Sequence, residues 1–195
     1  YYRIHILYYI KFNCFVYFNN KEYNLHMTDK IKLNIAILTI SDSRSEDNDK
    51  SGKILYDLIN ESGHHVSDKS IVKDDIYAIR SAMSTWIENN EIDVIVSTGG
   101  TGVTGTDGTP EAAEVLFDKK IEGFGEIFRY ISFKKIKTST IQSRATAGVA
   151  NSTYIFCLPG SPSACKDAWT EIIQHQLDSN NRPCNLVELM PRLKS

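Results

Sequence analysis

The residues best suited to chemistry lie in three short loops rich in glycine, hydroxyls and acids: Ser41-Asp-Ser-Arg44 through Ser51-Gly52, Thr98-Gly-Gly-Thr-Gly102 through Pro110, and Leu158-Pro-Gly-Ser-Pro162. In the second, Gly99, Gly100 and Gly102 let the main chain bend without a Cβ in the way and bring its N–H groups close to an anion. Thr101 adds a hydroxyl donor. Thr109 as N-cap, Pro110 at the first helical position and Glu111 in the first turn predict a helix whose positive end points back at the same spot. Phosphate is the anion such a loop suits. The third loop repeats the logic, since Gly160 gives access to the backbone while Ser161 and Pro162 start a helix, although a plain helix cap accounts for it equally.

An acid beside a phosphate loop is out of place. Asp107 would repel the anion unless a cation bridged them, and Mg²⁺ is the usual bridge because it takes one or two carboxylates plus phosphate oxygens. Asp107 is therefore the first metal-ligand candidate, with a carboxylate that merely favours the helix dipole as the plain alternative. Asp74-Asp75 precedes a helix, so one of the two reads as its N-cap. Arg144 could meet a phosphate, although a surface salt bridge is the commoner fate of an isolated Arg. Gly100, Gly102 and Gly105 satisfy GxGxxG, but 106–109 intervene before the helix start and no acid ends a strand some twenty residues on, so dinucleotide binding is rejected. Thr106 and Asp107 stand where a Walker loop needs Lys and a hydroxyl.

Positioning these loops requires strands that end in them. From Leu33 onward, short β-branched runs alternate with amphipathic segments, which predicts a parallel sheet covered by helices on its faces. Strands are expected at Asn34-Ile-Ala-Ile-Leu-Thr-Ile40, around 66–72, at Asp93-Val-Ile-Val-Ser-Thr98, near 144–149 and at Thr153-Tyr-Ile-Phe-Cys-Leu158. Helices are expected around Ile54 to Ile59, along the stripe Ile76, Ile79, Met83, Trp86 and Ile87, from Thr109 to about Phe117, from Gly123 through Phe133, and after Ser161. In a parallel sheet all strand-to-helix loops emerge at one edge, and the crevice at a topological switch point binds ligands.

Composition sets the class. With 195 residues, 42% of them hydrophobic, the chain can bury one full core, so a single domain over 27–195 is expected. A formal net charge of -2 without a basic stripe argues against nucleic acid and anionic membranes as partners. Cys14, Cys157, Cys165 and Cys184 show neither CxxC spacing nor a nearby His pair, so free thiols in a reducing cytoplasm are expected. The stretch 1–26 is rich in Tyr, Ile, Phe, Asn and Lys, and Lys11 and Asn13 interrupt what a signal peptide or membrane span would need. It reads as an upstream extension, not structured or not native, with translation beginning at Met27.

Taken jointly, Thr98-Gly-Gly-Thr-Gly102, four further residues and Asp107-Gly-Thr-Pro110, with Gly123-Phe-Gly-Glu126, Ser143-Arg144 and Leu158-Pro-Gly-Ser-Pro162, resemble the molybdopterin-binding proteins of molybdenum cofactor biosynthesis. The resemblance spans about Leu33 to Arg192, and the tail with Arg182-Pro-Cys-Asn185 is similar to the family's protein B branch. It implies a three-layer α/β/α sandwich with a mostly parallel central sheet, assembling as homotrimers or hexamers. It further implies that molybdopterin binds at the glycine-loop edge and that its terminal phosphate is adenylylated with Mg²⁺ and ATP. By the same likeness Asp107 and Asp74 serve catalysis and hold the metal. Substrate contacts fall on Ser41, Gly99, Gly100, Thr101, Gly102, Thr109, Pro110, Ser143, Pro159, Gly160 and Ser161. The alternative to an adenylyltransferase is a non-catalytic pterin-binding scaffold in the same pathway.

Overall fold

A computed structural model describes residues 30–193 and, upstream of them, only the backbone of two strands, β1 (Cys14–Phe18) and β2 (Lys21–Leu25). These two pair antiparallel, from Cys14 opposite Leu25 to Phe18 opposite Lys21, as a unit of their own. The expectations for the rest of 1–26, for a start at Met27 and for the Cys14 thiol lie outside the described residues.

The main unit is built on a six-stranded sheet in the order β4-β3-β5-β8-β7-β6. Strands β3 (Asn34–Ile40), β4 (His65–Val72), β5 (Val94–Thr98) and β8 (Thr153–Leu158) run parallel, while β7 (Thr146–Ala150) and the two-residue β6 (Lys119–Lys120) add an antiparallel flank. Strand side chains alternate faces, so each buried strand feeds two cores. Ile35, Ile37, Val94, Val96, Tyr154 and Phe156 meet Leu55 and Ile59 of α1 (Lys50–Glu61), Phe124 and Phe128 of α4 (Glu122–Ile136), and Ala168 of α5 (Pro162–Ala168) with the following Trp169. On the other face Ala36, Leu38, Ile95, Ile155 and Cys157 meet Ile79, Met83 and Trp86 of α2 (Ile76–Glu88) and Ala112 and Ala113 of α3 (Thr109–Ala113). This is the three-layer α/β/α sandwich with a mostly parallel sheet. Among the described residues no helix is long and apolar enough to cross a membrane.

Local chemistry revises two expectations. Thr109 is not an N-cap: that place belongs to Gly108, without a side-chain bond, because the Thr109 hydroxyl is committed to the Gly99 carbonyl at 2.8 Å. The helix it opens ends at Ala113 and continues only as a 3-10 turn over Glu114–Leu116, short of Phe117. The acidic pair is sorted by the same accounting. Asp75 is the cap of α2, accepting from the Tyr77 and Ala78 N–H groups at 3.0 and 2.8 Å, which leaves Asp74 for other work.

α5 runs on through a π-helical turn (Trp169–Ile173) into the short α6 (Gln174–Gln176). In that turn Trp169 is fully buried, lies edge-on to His64 and donates its indole N–H to the Ser62 hydroxyl at 3.0 Å. Trp169→Ala is expected to cost about 3–5 kcal/mol, read as a lower denaturant midpoint with an unchanged slope.

Candidate functional site

Chain order places β4 on one side of β3 and β5 on the other, so the topological switch falls between the carboxyl ends of β3 and β5. The three glycine- and serine-bearing loops leave β3, β5 and β8 there, and main-chain bonds stitch them together. The Gly99 N–H donates to the Leu158 carbonyl at 3.0 Å, and the Thr98 hydroxyl to the Pro159 carbonyl at 3.0 Å. Gly99 and Gly100 take φ of +110° and +63°, the left-handed region that favours glycine. Space matters as much as φ: a Cβ on Gly99 would lie 2.2 Å from the Ile40 carbonyl oxygen, and one on Gly100 2.3 Å from the Thr109 hydroxyl.

Between these loops and α4 opens a cavity of about 450 Å³. Of the residues singled out in the sequence, Ser41, Gly99, Gly100, Thr101, Gly102, Asp107, Ser143, Pro159, Gly160 and Ser161 line it, with Phe128 and Ile136 as an apolar wall. Thr109 and Pro110 do not. Thr109 is fully buried behind the loop as its peg, and Pro110 faces a neighbouring cavity of about 520 Å³. Asp74 also stands off the cavity lining, yet its Oδ1 is 2.9 Å from where a Gly100 Cβ would be. Asp107 approaches the corresponding point on Gly102 to 2.6 Å. The glycines thus leave room for two carboxylates against one turn.

The two acids are tuned in opposite directions. The Thr104 hydroxyl, helped by the Thr104 and Gly102 N–H groups and by Arg144, holds the Asp107 carboxyl below its ordinary value despite some burial. Asp74 is raised, first by burial and then by repulsion from Asp107 and Asp42, with the Gly108 N–H opposing. Its Oδ1 is buried without a hydrogen-bond partner. An orphaned carboxylate oxygen next to a second, ionised carboxylate is a donor set that fits a hard cation. Among the described residues no three or more His, Cys, Asp or Glu gather as a metal cluster, so the remaining ligands would have to be substrate and water oxygens.

Arg144 forms the salt bridge expected of it, with Glu111, and beyond that plays a part the sequence did not disclose. Its Nε donates to the Gly102 carbonyl at 2.5 Å and one terminal nitrogen to the Asp107 carbonyl at 2.7 Å, while the other pairs with Glu111. Its own N–H reaches the Thr101 carbonyl at 3.0 Å. The guanidinium is therefore spent on fixing the glycine loop, rather than reaching a phosphate. The first loop spans Asp49 and Ser51, yet no individual role for either could be read from residue order. Both lie at the start of α1, and a buried polar network of this kind leaves no periodic or spacing signal.

Residues 36–179 match the family described as "Probable molybdopterin binding domain". Molybdenum cofactor biosynthesis protein B of Escherichia coli is 55% identical over 158 residues, covering 81% of this chain and 93% of that protein. The Staphylococcus epidermidis protein of the same name is 43% identical over 162 residues, with coverage of 81% and 91%. Among solved structures, that of a molybdenum cofactor biosynthesis protein B superposes with a TM-score of 0.76 at 38% identity, covering 84% of this chain and 96% of the other. A tungsten cofactor synthesizing protein from Pyrococcus furiosus gives 0.66 at 31% identity, with coverage of 84% and 98%. With its glycine loop, its flanking acids and these matches in agreement, the chain belongs to the molybdopterin-binding family of molybdenum cofactor biosynthesis proteins.

Proposed function

We propose that this chain acts in molybdenum cofactor biosynthesis by binding molybdopterin in the 450 Å³ cavity and adenylylating its terminal phosphate with ATP. The observation that carries the reading is the unpartnered Asp74 oxygen set against Gly100, beside ionised Asp107 against Gly102. Asp74 and Asp107 would hold Mg²⁺, which when bound supplies charge neutralisation for the nucleotide phosphates.

This chain's own residues do the positioning. The main-chain N–H groups of Gly100 and Thr101 and the hydroxyls of Ser41, Ser143 and Ser161 are placed to receive phosphate oxygens, those of Gly99 and Gly102 being committed to the Leu158 carbonyl and Asp107, and Phe128 and Ile136 shield one side from water. A pterin phosphate oxygen then bonds to the α-phosphorus of ATP and pyrophosphate leaves, so no side-chain nucleophile is required. The reaction would run in the cytoplasm, where both substrates are present, in a homotrimer or hexamer. The small acid set favours one other reading, a scaffold that holds the pterin without turnover. Pyrophosphate release on mixing protein, molybdopterin, Mg²⁺ and ATP separates the two, since tight binding without release would refute the enzyme.

Asp107→Asn should fold normally and lower AMP transfer by about 100-fold or more, read as pyrophosphate release, and an unimpaired rate would exclude the metal role. For Asp74 the sign follows from burial, which holds its carboxyl above the ordinary value. In the folded state the charged form is penalised, so the penalty is fully present at neutral pH and relieved as pH falls through the folded value. Asp74→Asn is therefore expected to raise the melting temperature of the ligand-free protein at neutral pH, with the gain shrinking in acid, while abolishing Mg²⁺-dependent turnover. A lower melting temperature at neutral pH would contradict this assignment of strain to Asp74.

A further inference from the structure

Among the described residues lining the cavity, Arg44 is the only cation. Its side chain is 26% exposed and its guanidinium is held from behind: one nitrogen donates to the Gly160 carbonyl at 2.7 Å and the other lies 3.5 Å from Asp49 Oδ1. The Asp49 carboxylate is wholly buried. It accepts the Gly52 N–H at 2.9 Å and the Thr39 hydroxyl at 2.7 Å, and Lys69 stands 3.5 Å away. Capping α1 needs only a neutral oxygen, and burying a full charge is costly unless it is used. Here the charge anchors two cations, and Arg44 is the one that faces the cavity.

Charge balance says what that anchor is for. Asp74 and Asp107 bring negative charge to the glycine loop, and a phosphate brings more, while the loop amides offer only partial charges. A guanidinium carries five N–H donors, so the bonds to Gly160 and Asp49 leave others for a ligand oxygen. The Ser51 hydroxyl donates to the same Gly160 carbonyl at 2.8 Å, which turns that acceptor toward the first loop. We propose that Arg44, fixed by the buried Asp49, grips the ligand's phosphate and selects phosphorylated over dephosphorylated pterin, with Asp49 as its positioning residue. The selection of a pterin rests on the function proposed above.

The test uses the full chain with Arg44→Gln, Arg44→Lys and Asp49→Asn. Molybdopterin and its dephosphorylated form are titrated by pterin fluorescence, and inorganic pyrophosphate by calorimetry. Arg44→Gln should weaken molybdopterin and pyrophosphate by about 10- to 100-fold while leaving the dephosphorylated pterin within about twofold. Arg44→Lys, which keeps the charge but not the fork, and Asp49→Asn should fall between wild type and Arg44→Gln. Equal losses for both pterins would mean that Arg44 only props the Gly160 loop, and no loss would remove it from the site; either result overturns the proposal. Arg44-dependent binding of pyrophosphate by a wild-type chain that takes neither pterin would keep the anion contact and sink the pterin function. A wild-type chain that binds none of the three would sink both.

Discussion

Close approach at glycine, with no room for a Cβ at Gly99 or Gly100, is the constraint on which the site depends. Gly99 is wedged against the Ile40 main-chain carbonyl and Gly100 against the Thr109 and Asp74 side chains, while a Cβ on Gly160 would meet the Gly99 Cα at 3.4 Å, an ordinary van der Waals contact. These approaches, with the Gly99 N–H bond to the Leu158 carbonyl, bring three loops from three strands to one cavity. Side chains then lock what the glycines permit: Thr109 from below, Arg144 across the outer bend, Arg44 and Ser51 on the Gly160 carbonyl. A preorganised set of N–H groups costs nothing to arrange when a phosphate arrives, which is what electrostatic catalysis and tight anion binding both require.

The same crowding separates the two carboxylates. Asp107 rests in a turn that donates to it, from Thr104 and Gly102, and stays ionised readily. Asp74 faces burial and two neighbouring acids, with one N–H in its favour. Environment, rather than residue type, gives one a settled charge and the other a strained one. A strained carboxylate with one oxygen unpartnered is a local cost to folding that a bound cation would remove, a common pattern where a protein keeps a site ready for a ligand.

Much of this could be read from residue order. β-branched runs at Asn34–Ile40, Val94–Thr98 and Thr153–Leu158 are buried on both faces, so their strand character survived any tertiary context. The loops that follow them carry glycines clustered as a close approach of backbone to an anion demands. Harder were features that depend on distant partners. The two-residue β6 has no pattern long enough to register, and the orientation of β7 is set by its pairing with β8. Thr109 looked like a cap because its neighbours fit one, yet its hydroxyl found a buried carbonyl ten residues earlier. Arg144 and Asp49 act on atoms supplied by other elements, and only folding brings those within reach.

The sheet also ends bluntly on both sides. Its outer strands are β4, where Asp68 and Lys69 interrupt the apolar character, and β6, only two lysines long. Charged or very short borders discourage a neighbouring chain from adding a strand to the hydrogen-bonded centre. The carboxyl ends of the parallel strands, where the three loops converge, are thus set by pairing within the sheet alone.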